Sequence, residues 1–183
     1  MTVKLSLNDM TLLVAEIDNR EGETRRDAEK RVTMSLIHDA LGAGTTLGHH
    51  ESGAPYVIGS DINISISHSR HYAAIAISAA SHIGIDIEEQ RQQLRRVAHR
   101  VMSEAELKSY AITDPLLLQA WTLKEALYKA ALTPGLDFRR DIVLPLPPAS
   151  PTAFVSGRAY SVETLVTNGY TLALAKVINM LEQ

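Results

Sequence analysis

The sequence predicts an α+β fold of two similar halves, residues 1–80 and 81–183, and three observations predict it. Short apolar segments with strand composition recur along the whole chain. Two stretches carry readable helix ends, and the order strand, helix, strands occurs twice. With 183 residues, 45% of them apolar, the chain can bury a substantial core, as one domain or as two closely packed halves.

In the first half, Leu12 to Ile17 is a short apolar strand. A charged stretch from Asn19 to Glu29 leads into a helix that runs to about Leu41, where Gly42-Ala43-Gly44 stops it. Pro55 to Ile58 reads as a short edge strand, Ile62 to Ile66 alternates apolar and polar residues, and Tyr72 to Ser78 is a strand rich in small residues.

The second half opens on the strand Ile83 to Glu88. Polar, arginine-rich residues follow, and Ser103 with Glu106 forms a capping box at the start of a short helix ending near Tyr110. Asp114 followed by Pro115 reads as an N-cap with proline at the first helical position, and Pro134-Gly135 marks the end of that helix. Leu144 to Pro151 holds four prolines and is a loop. Ala153 to Val155, Tyr160 to Val166 and Tyr170 to Val177 complete the strands. The likeness between halves is architectural: Tyr72 to Ile77 and Tyr170 to Ala175 share a composition, but their large residues are out of phase.

Composition narrows the function classes. The chain has no cysteine, so a disulfide framework, a thiolate metal site and a cysteine nucleophile are excluded, and a reducing cytoplasm is the expected location. No apolar run approaches the roughly 20 residues of a membrane span, and the N-terminus lacks a signal-peptide core. A formal charge of −3 argues against a dedicated nucleic-acid binder, so any anion site must be local.

The chemistry-bearing residues cluster on one strand and one helix. On Ile83–Glu88 the three isoleucines face one way while Gly84, Asp86 and Glu88 share the other face. Neighbours on a strand face stand roughly 6.5–7 Å apart at Cα, close enough for two carboxylates to converge on a hard cation such as Mg²⁺. On the helix after Pro115, Trp121, Glu125 and Lys129 form one stripe at i, i+4 spacing, and Leu116, Ala120, Leu123 and Leu127 form a second, apolar one. A carboxylate and an ammonium on so apolar a helix need compensation from each other, a metal or an anion.

Taken together, Ser67-His68, then Gly84, Asp86 and Glu88 on a strand, then Trp121, Lys124, Glu125 and Lys129 on a helix, resemble the signatures of the surfactin-type 4′-phosphopantetheinyl transferases. The motifs span Asn63 to Lys129. The resemblance implies transfer of the phosphopantetheine arm of coenzyme A to a serine of an acyl or peptidyl carrier protein, with release of 3′,5′-adenosine bisphosphate. It implies Asp86, Glu88 and Glu125 as Mg²⁺ ligands, Glu125 also as general base, directly or through a metal-bound water, and Lys129 as a phosphate contact that stabilises the departing oxyanion. Ser67 and His68 are implied to bind a coenzyme A phosphate, with Arg31 added for the 3′-phosphate. The branch it resembles is monomeric, with the active site at the junction of its two halves.

One departure stands out: Ala54 precedes Pro55 where the family often has a lysine, so part of the expected phosphate clamp is missing, with Arg31 or Arg26 available to compensate. Arg91, Arg95, Arg96 and Arg100 with His99 read either as a docking surface for an acidic carrier or as a solvated helix face. His68 and His71, with His49 and His50 nearby, read as surface or anion-binding groups in preference to a zinc site, which needs three or four converging ligands. A metal-dependent phosphohydrolase and a non-catalytic coenzyme A-binding relative are the rival functions. Fatty-acid, polyketide and nonribosomal peptide synthesis all remain open as the pathway.

Overall fold

The computed structural model describes residues 2–7, 10–90, 93–146 and 150–178. In chain order its elements are β1 (Thr2–Leu7), β2 (Met10–Glu16), α1 (Arg25–Leu41), β3 (Leu47–His49), β4 (Pro55–Val57), β5 (Asn63–His68), β6 (Tyr72–Ser78), β7 (Ile83–Glu88), α2 (Leu94–Val97), α3 (Glu104–Tyr110), α4 (Asp114–Ala131), β8 (Ile142–Val143), β9 (Thr152–Val155), β10 (Arg158–Val166) and β11 (Thr171–Val177). The fold is mixed α/β with antiparallel sheets. One sheet has the order β1-β2-β6-β5, a second the order β7-β11-β10-β9-β8, and β3 pairs with β4 in a separate hairpin.

Side-chain alternation explains how these sheets stack. On β2 and β6, Leu13, Ala15, Ala73, Ile75 and Ile77 turn towards α1 and pack with Ala28, Val32, Leu36 and Ile37. The intervening Leu12, Val14, Ala74 and Ala76 turn the other way and meet Ile83, Ile85, Ile87, Leu172 and Leu174 of the second sheet. On β11 the alternate residues Ala173, Ala175 and Val177 face α4, packing with Leu123, Ala126, Leu127 and Ala130. The layers therefore run α1, first sheet, second sheet, α4, with apolar cores in all three gaps.

Three of the helices begin on side-chain caps. Thr24 accepts a hydrogen bond from the Asp27 N–H at the start of α1, and Ser103 with Glu106 forms the expected capping box on α3. For α4 the structure moves the cap by one residue: Thr113, not Asp114, is the N-cap and accepts from the Leu116 N–H, and Asp114 joins the first turn. Threonine and aspartate are both good caps, so the residue pair alone did not decide between them.

The strands β1, β3 and β8 and the short helix α2 extend the predicted set. Arg91 and the prolines at 147 and 148 lie outside the described residues. No helix among the described residues is long and apolar enough to cross a membrane.

Candidate active site

The site forms where β7 lies between β5 and α4. Gly84 permits the approach on one side: a Cβ there would run into the backbone of α4, at the Ala126 carbonyl oxygen and the Ala130 nitrogen. All six residues of β7 are buried, so the face carrying Asp86 and Glu88 is covered by structure and is not a solvated strand face.

On the other side, β5 meets β7 through serine hydroxyls. Ser65 Oγ accepts from the Ile85 N–H at 3.0 Å, and Ser67 Oγ accepts from the Ile87 N–H at 3.3 Å. Both pairings advance by two residues in the same sense, so the strands run in the same direction and the hydroxyls act where carbonyls would act in a ladder.

Asp86 is the centre of the polar contacts. Its Oδ1 accepts from the Ser67 hydroxyl at 2.7 Å and from Lys129 Nζ at 2.8 Å. Its Oδ2 is buried and accepts no hydrogen bond among the described residues. Lys129 also donates to the Ile85 carbonyl at 3.0 Å, so its ammonium is held against β7 from α4. Glu88 is buried two residues beyond Asp86, and Glu125 is half-buried one helical turn before Lys129.

The remaining predicted residues fall in two places. His68 turns away from β7 and its Nε2 lies 2.6 Å from Thr33 Oγ1 on α1. Its pKa is pushed below the usual imidazole value by burial of the ring, with Lys129 and Arg25 adding to the shift and Glu29 opposing it. Arg31 does not join this group: its guanidinium is committed to Glu23 and Asp18. Arg25, from the start of α1, lies nearer, donating to the Ser69 carbonyl at 2.6 Å and to Glu29 at 2.7 Å.

Two hollows border these groups. A cleft of about 240 Å³ is bounded by Ala54, Pro55, Ser65, Tyr128, Lys129 and Thr133, among others. A wider, polar hollow of about 570 Å³ is lined by Arg25, Glu29, His68, Arg70 and His71, among others. At its rim His71 donates its backbone N–H to Glu89 and sets Nδ1 2.7 Å from the same carboxylate, tying the β5–β6 turn to the end of β7.

Lys124, part of the sequence motif, has a different place. Its side chain is fully buried and forms an ion pair with Glu106 at 2.9 Å, while Nζ donates to the carbonyls of Phe138 and Ile142. Trp121 packs half-buried against the core beneath α4. Sequence reasoning missed Thr33, Ser65 and the Glu106 partner of Lys124. The pairing of Ser65 with Ser67 on one face of β5 was the visible signal for the serine rungs.

The family model of the 4′-phosphopantetheinyl transferase superfamily (ACPS) matches residues 82–175, just over half of the chain. The chain belongs to this superfamily. The matched span starts one residue before β7 and ends within β11, so it takes in Asp86, Glu88, Glu125 and Lys129 of the superfamily chain and leaves Ser67 and His68 outside. No curated protein matches the chain. Phosphopantetheinyl transfer is the chemistry of this superfamily, which makes the chain a transferase.

Proposed function

We propose that the protein transfers the 4′-phosphopantetheine arm of coenzyme A to a serine hydroxyl of an apo acyl or peptidyl carrier protein in a Mg²⁺-dependent reaction. The observation that carries this reading is the meeting of Asp86 with Lys129, which lines a cleft, while one oxygen of Asp86 has no partner among the described residues. A buried carboxylate oxygen without a donor costs roughly 1–3 kcal/mol or more, and a cation removes that cost.

The residues fit Mg²⁺ as a shared ligand. Among the described residues no three Asp, Glu or His side chains stand together as a ready-made cage. Mg²⁺ does not require one, since it keeps several waters and is held by one or two carboxylates together with substrate phosphates. In this reading Asp86, together with Glu88 or Glu125, would supply the carboxylates, and substrate phosphates and water the remaining ligands. Bound there, Mg²⁺ offsets the charge that grows on the pyrophosphate oxygens during transfer.

The chain's own groups do the rest. Glu125 takes the proton of the carrier serine as its oxygen attacks the β-phosphorus of coenzyme A. The bond from that phosphorus to the bridging oxygen breaks, and 3′,5′-adenosine bisphosphate leaves with its charge stabilised by Lys129. The narrow, largely apolar cleft suits the pantetheine arm. His68, Arg25 and Arg70 suit the phosphates of the nucleotide, a task for which Arg31 is poorly placed because Glu23 and Asp18 already engage it.

The surfactin-type branch, with residues 1–80 and 81–183 as its two halves and the site at their junction, is the arrangement we favour. It makes a monomer sufficient, in the cytoplasm, acting on carriers of fatty-acid, polyketide or nonribosomal peptide synthesis. Arg96, His99 and Arg100 are exposed and supply positive charge for an acidic carrier, whereas Arg95 is tied to Asp114.

Incubation with coenzyme A, Mg²⁺ and a panel of apo carriers tests this. The expected result is one phosphopantetheine arm on a carrier serine and an equal amount of 3′,5′-adenosine bisphosphate. Consumption of coenzyme A without any carrier would indicate a hydrolase instead.

A further inference from the structure

We propose that Ser67 is a positioning residue for Asp86 and not a phosphate ligand: from β5 it grips Oδ1 and thereby reserves Oδ2 for a divalent cation. The inference rests on the metal-dependent reading above and deepens it.

Hydrogen-bond capacity is the first argument. A serine hydroxyl has one proton to donate, and a phosphate oxygen needs a donor. The Ser67 proton already goes to Asp86 Oδ1 at 2.7 Å, while the same oxygen accepts from the Ile87 N–H. Serving a phosphate would require Ser67 to release Asp86.

Strand geometry is the second. Neighbours on a strand point to opposite faces, so Ser67 and His68 cannot both aim their side chains at one anion. Ser67 is buried against β7, whereas His68 lies on the side of α1, with its ring on Thr33. The Ser-His pair of the motif therefore divides into two jobs, with the imidazole facing the basic hollow and the hydroxyl facing the acidic strand.

The third is the asymmetry of Asp86 itself. Nearly all buried polar atoms in folded proteins find a hydrogen-bond partner. Among the described residues Asp86 Oδ1 has two donors and Oδ2 has none. The bond to Ile87 N–H adds a further consequence, because that peptide lies between Asp86 and Glu88. One hydroxyl thus fixes the Asp86 side chain and the backbone that sets the direction of Glu88. Ser65 makes the equivalent backbone bond to Ile85 and provides the comparison for the strut alone.

The test uses the full chain and two binding measurements, with no turnover required. Mn²⁺ binding is followed by electron paramagnetic resonance in the presence of 3′,5′-adenosine bisphosphate, and binding of that nucleotide alone is followed by calorimetry in EDTA. Ser67→Ala should weaken Mn²⁺ binding by about 10-fold or more, the usual effect of losing a group that orients a metal ligand. Metal-free nucleotide binding should stay within twofold of the parent chain, and Ser67→Thr, which keeps the hydroxyl, should recover most of the Mn²⁺ affinity.

Thermal unfolding of Ser67→Ala beside Ser65→Ala shows what the strut alone contributes to the fold. If Ser67→Ala does not fold, Ser67→Thr against Ser67→Cys makes the same comparison of hydroxyl with a weak donor. Weakened metal-free nucleotide binding with unchanged Mn²⁺ affinity would overturn the proposal. A parent chain that binds Mn²⁺ while Ser67→Ala binds it equally well would sink the positioning role alone. A parent chain that binds no Mn²⁺ would sink the metal-dependent reading and the positioning role together.

Discussion

Lys124 and Lys129 sit five residues apart on α4, and each pairs with a carboxylate, but the two pairs have opposite characters. Lys124 and Glu106 are sealed, with side-chain exposures of 0% and 2%, and their capacity is filled. Lys124 donates to two carbonyls as well, and Glu106 accepts from the N–H groups of Ser103 and Leu144. Lys129 borders the cleft with a side-chain exposure of 29% and pairs with the buried Asp86, at 8%, whose second oxygen has no partner among the described residues. A saturated, buried pair can only hold elements together, here α4 to α3 and to the chain around Phe138 and Ile142. A pair that is partly exposed through its lysine and unsaturated at its carboxylate has capacity left for a ligand.

The comparison is most directly broken by removing its first member. Lys124→Ala leaves Glu106 charged and uncompensated in the core, and chemical denaturation should show a loss of about 3–5 kcal/mol. A loss below about 1 kcal/mol, the range of exposed pairs, would mean that the pair is not sealed in solution. Burial lowers the Lys124 pKa against the opposing pull of Glu106, which is the same penalty seen from the side of the lysine.

Removing the second member should act on rate instead. Lys129→Ala is expected to slow transfer about 10²–10³-fold, the range for losing one preorganised donor to a developing oxyanion. Its unfolding transition should move far less than that of Lys124→Ala, since Lys129 is partly solvated.

Gly84→Ala sharpens the contrast by disturbing one pair more than the other. The new methyl meets the α4 backbone at Ala126 and Ala130, so the helix must shift away from β7, at a cost of about 1–3 kcal/mol or more. Lys129 crosses that interface to reach Asp86, whereas Lys124 points away from it to α3. Transfer should therefore fall further than stability alone explains, checked by comparing rate per folded molecule with the denaturation midpoint.

The smallest effect belongs to a third pair, Arg31–Glu23, which is only partly buried. The hydrogen bond from Arg31 holds the Glu23 pKa at about 2, below the ordinary 4.5. A depressed carboxylate stabilises the fold above the unfolded value and loses that contribution as pH falls from about 4.5 to about 2. Glu23→Gln should flatten this part of the acid stability curve in a pH series of thermal melts. An unchanged slope would show that the pair contributes nothing measurable.

Much of the site was legible in the sequence because it depends on local periodicity. Alternation placed Asp86 and Glu88 on one strand face, and helical spacing placed Glu125 one turn from Lys129. What was not legible depends on packing between elements. Lys124 adjoins Glu125 in the motif and nothing local marks it as buried, since its partner Glu106 lies on another helix. Arg31 looked available to a phosphate because its partners, Asp18 and Glu23, sit in an irregular stretch whose path no periodicity reports. The strands β3 and β8 escaped for a related reason: with three and two residues they are too short to show a period. The serine rungs were half visible, as two hydroxyls on one face of β5, but their target was a strand in the other sheet.

The most direct measurement is the rate of phosphopantetheine transfer to an apo carrier by Lys129→Ala and Lys124→Met, side by side, below both melting transitions. The account predicts that Lys124→Met, though less stable, transfers at close to the parent rate per folded molecule, while Lys129→Ala stays folded and is slowed about 10²–10³-fold. A Lys129→Ala protein that transfers at the parent rate would contradict it.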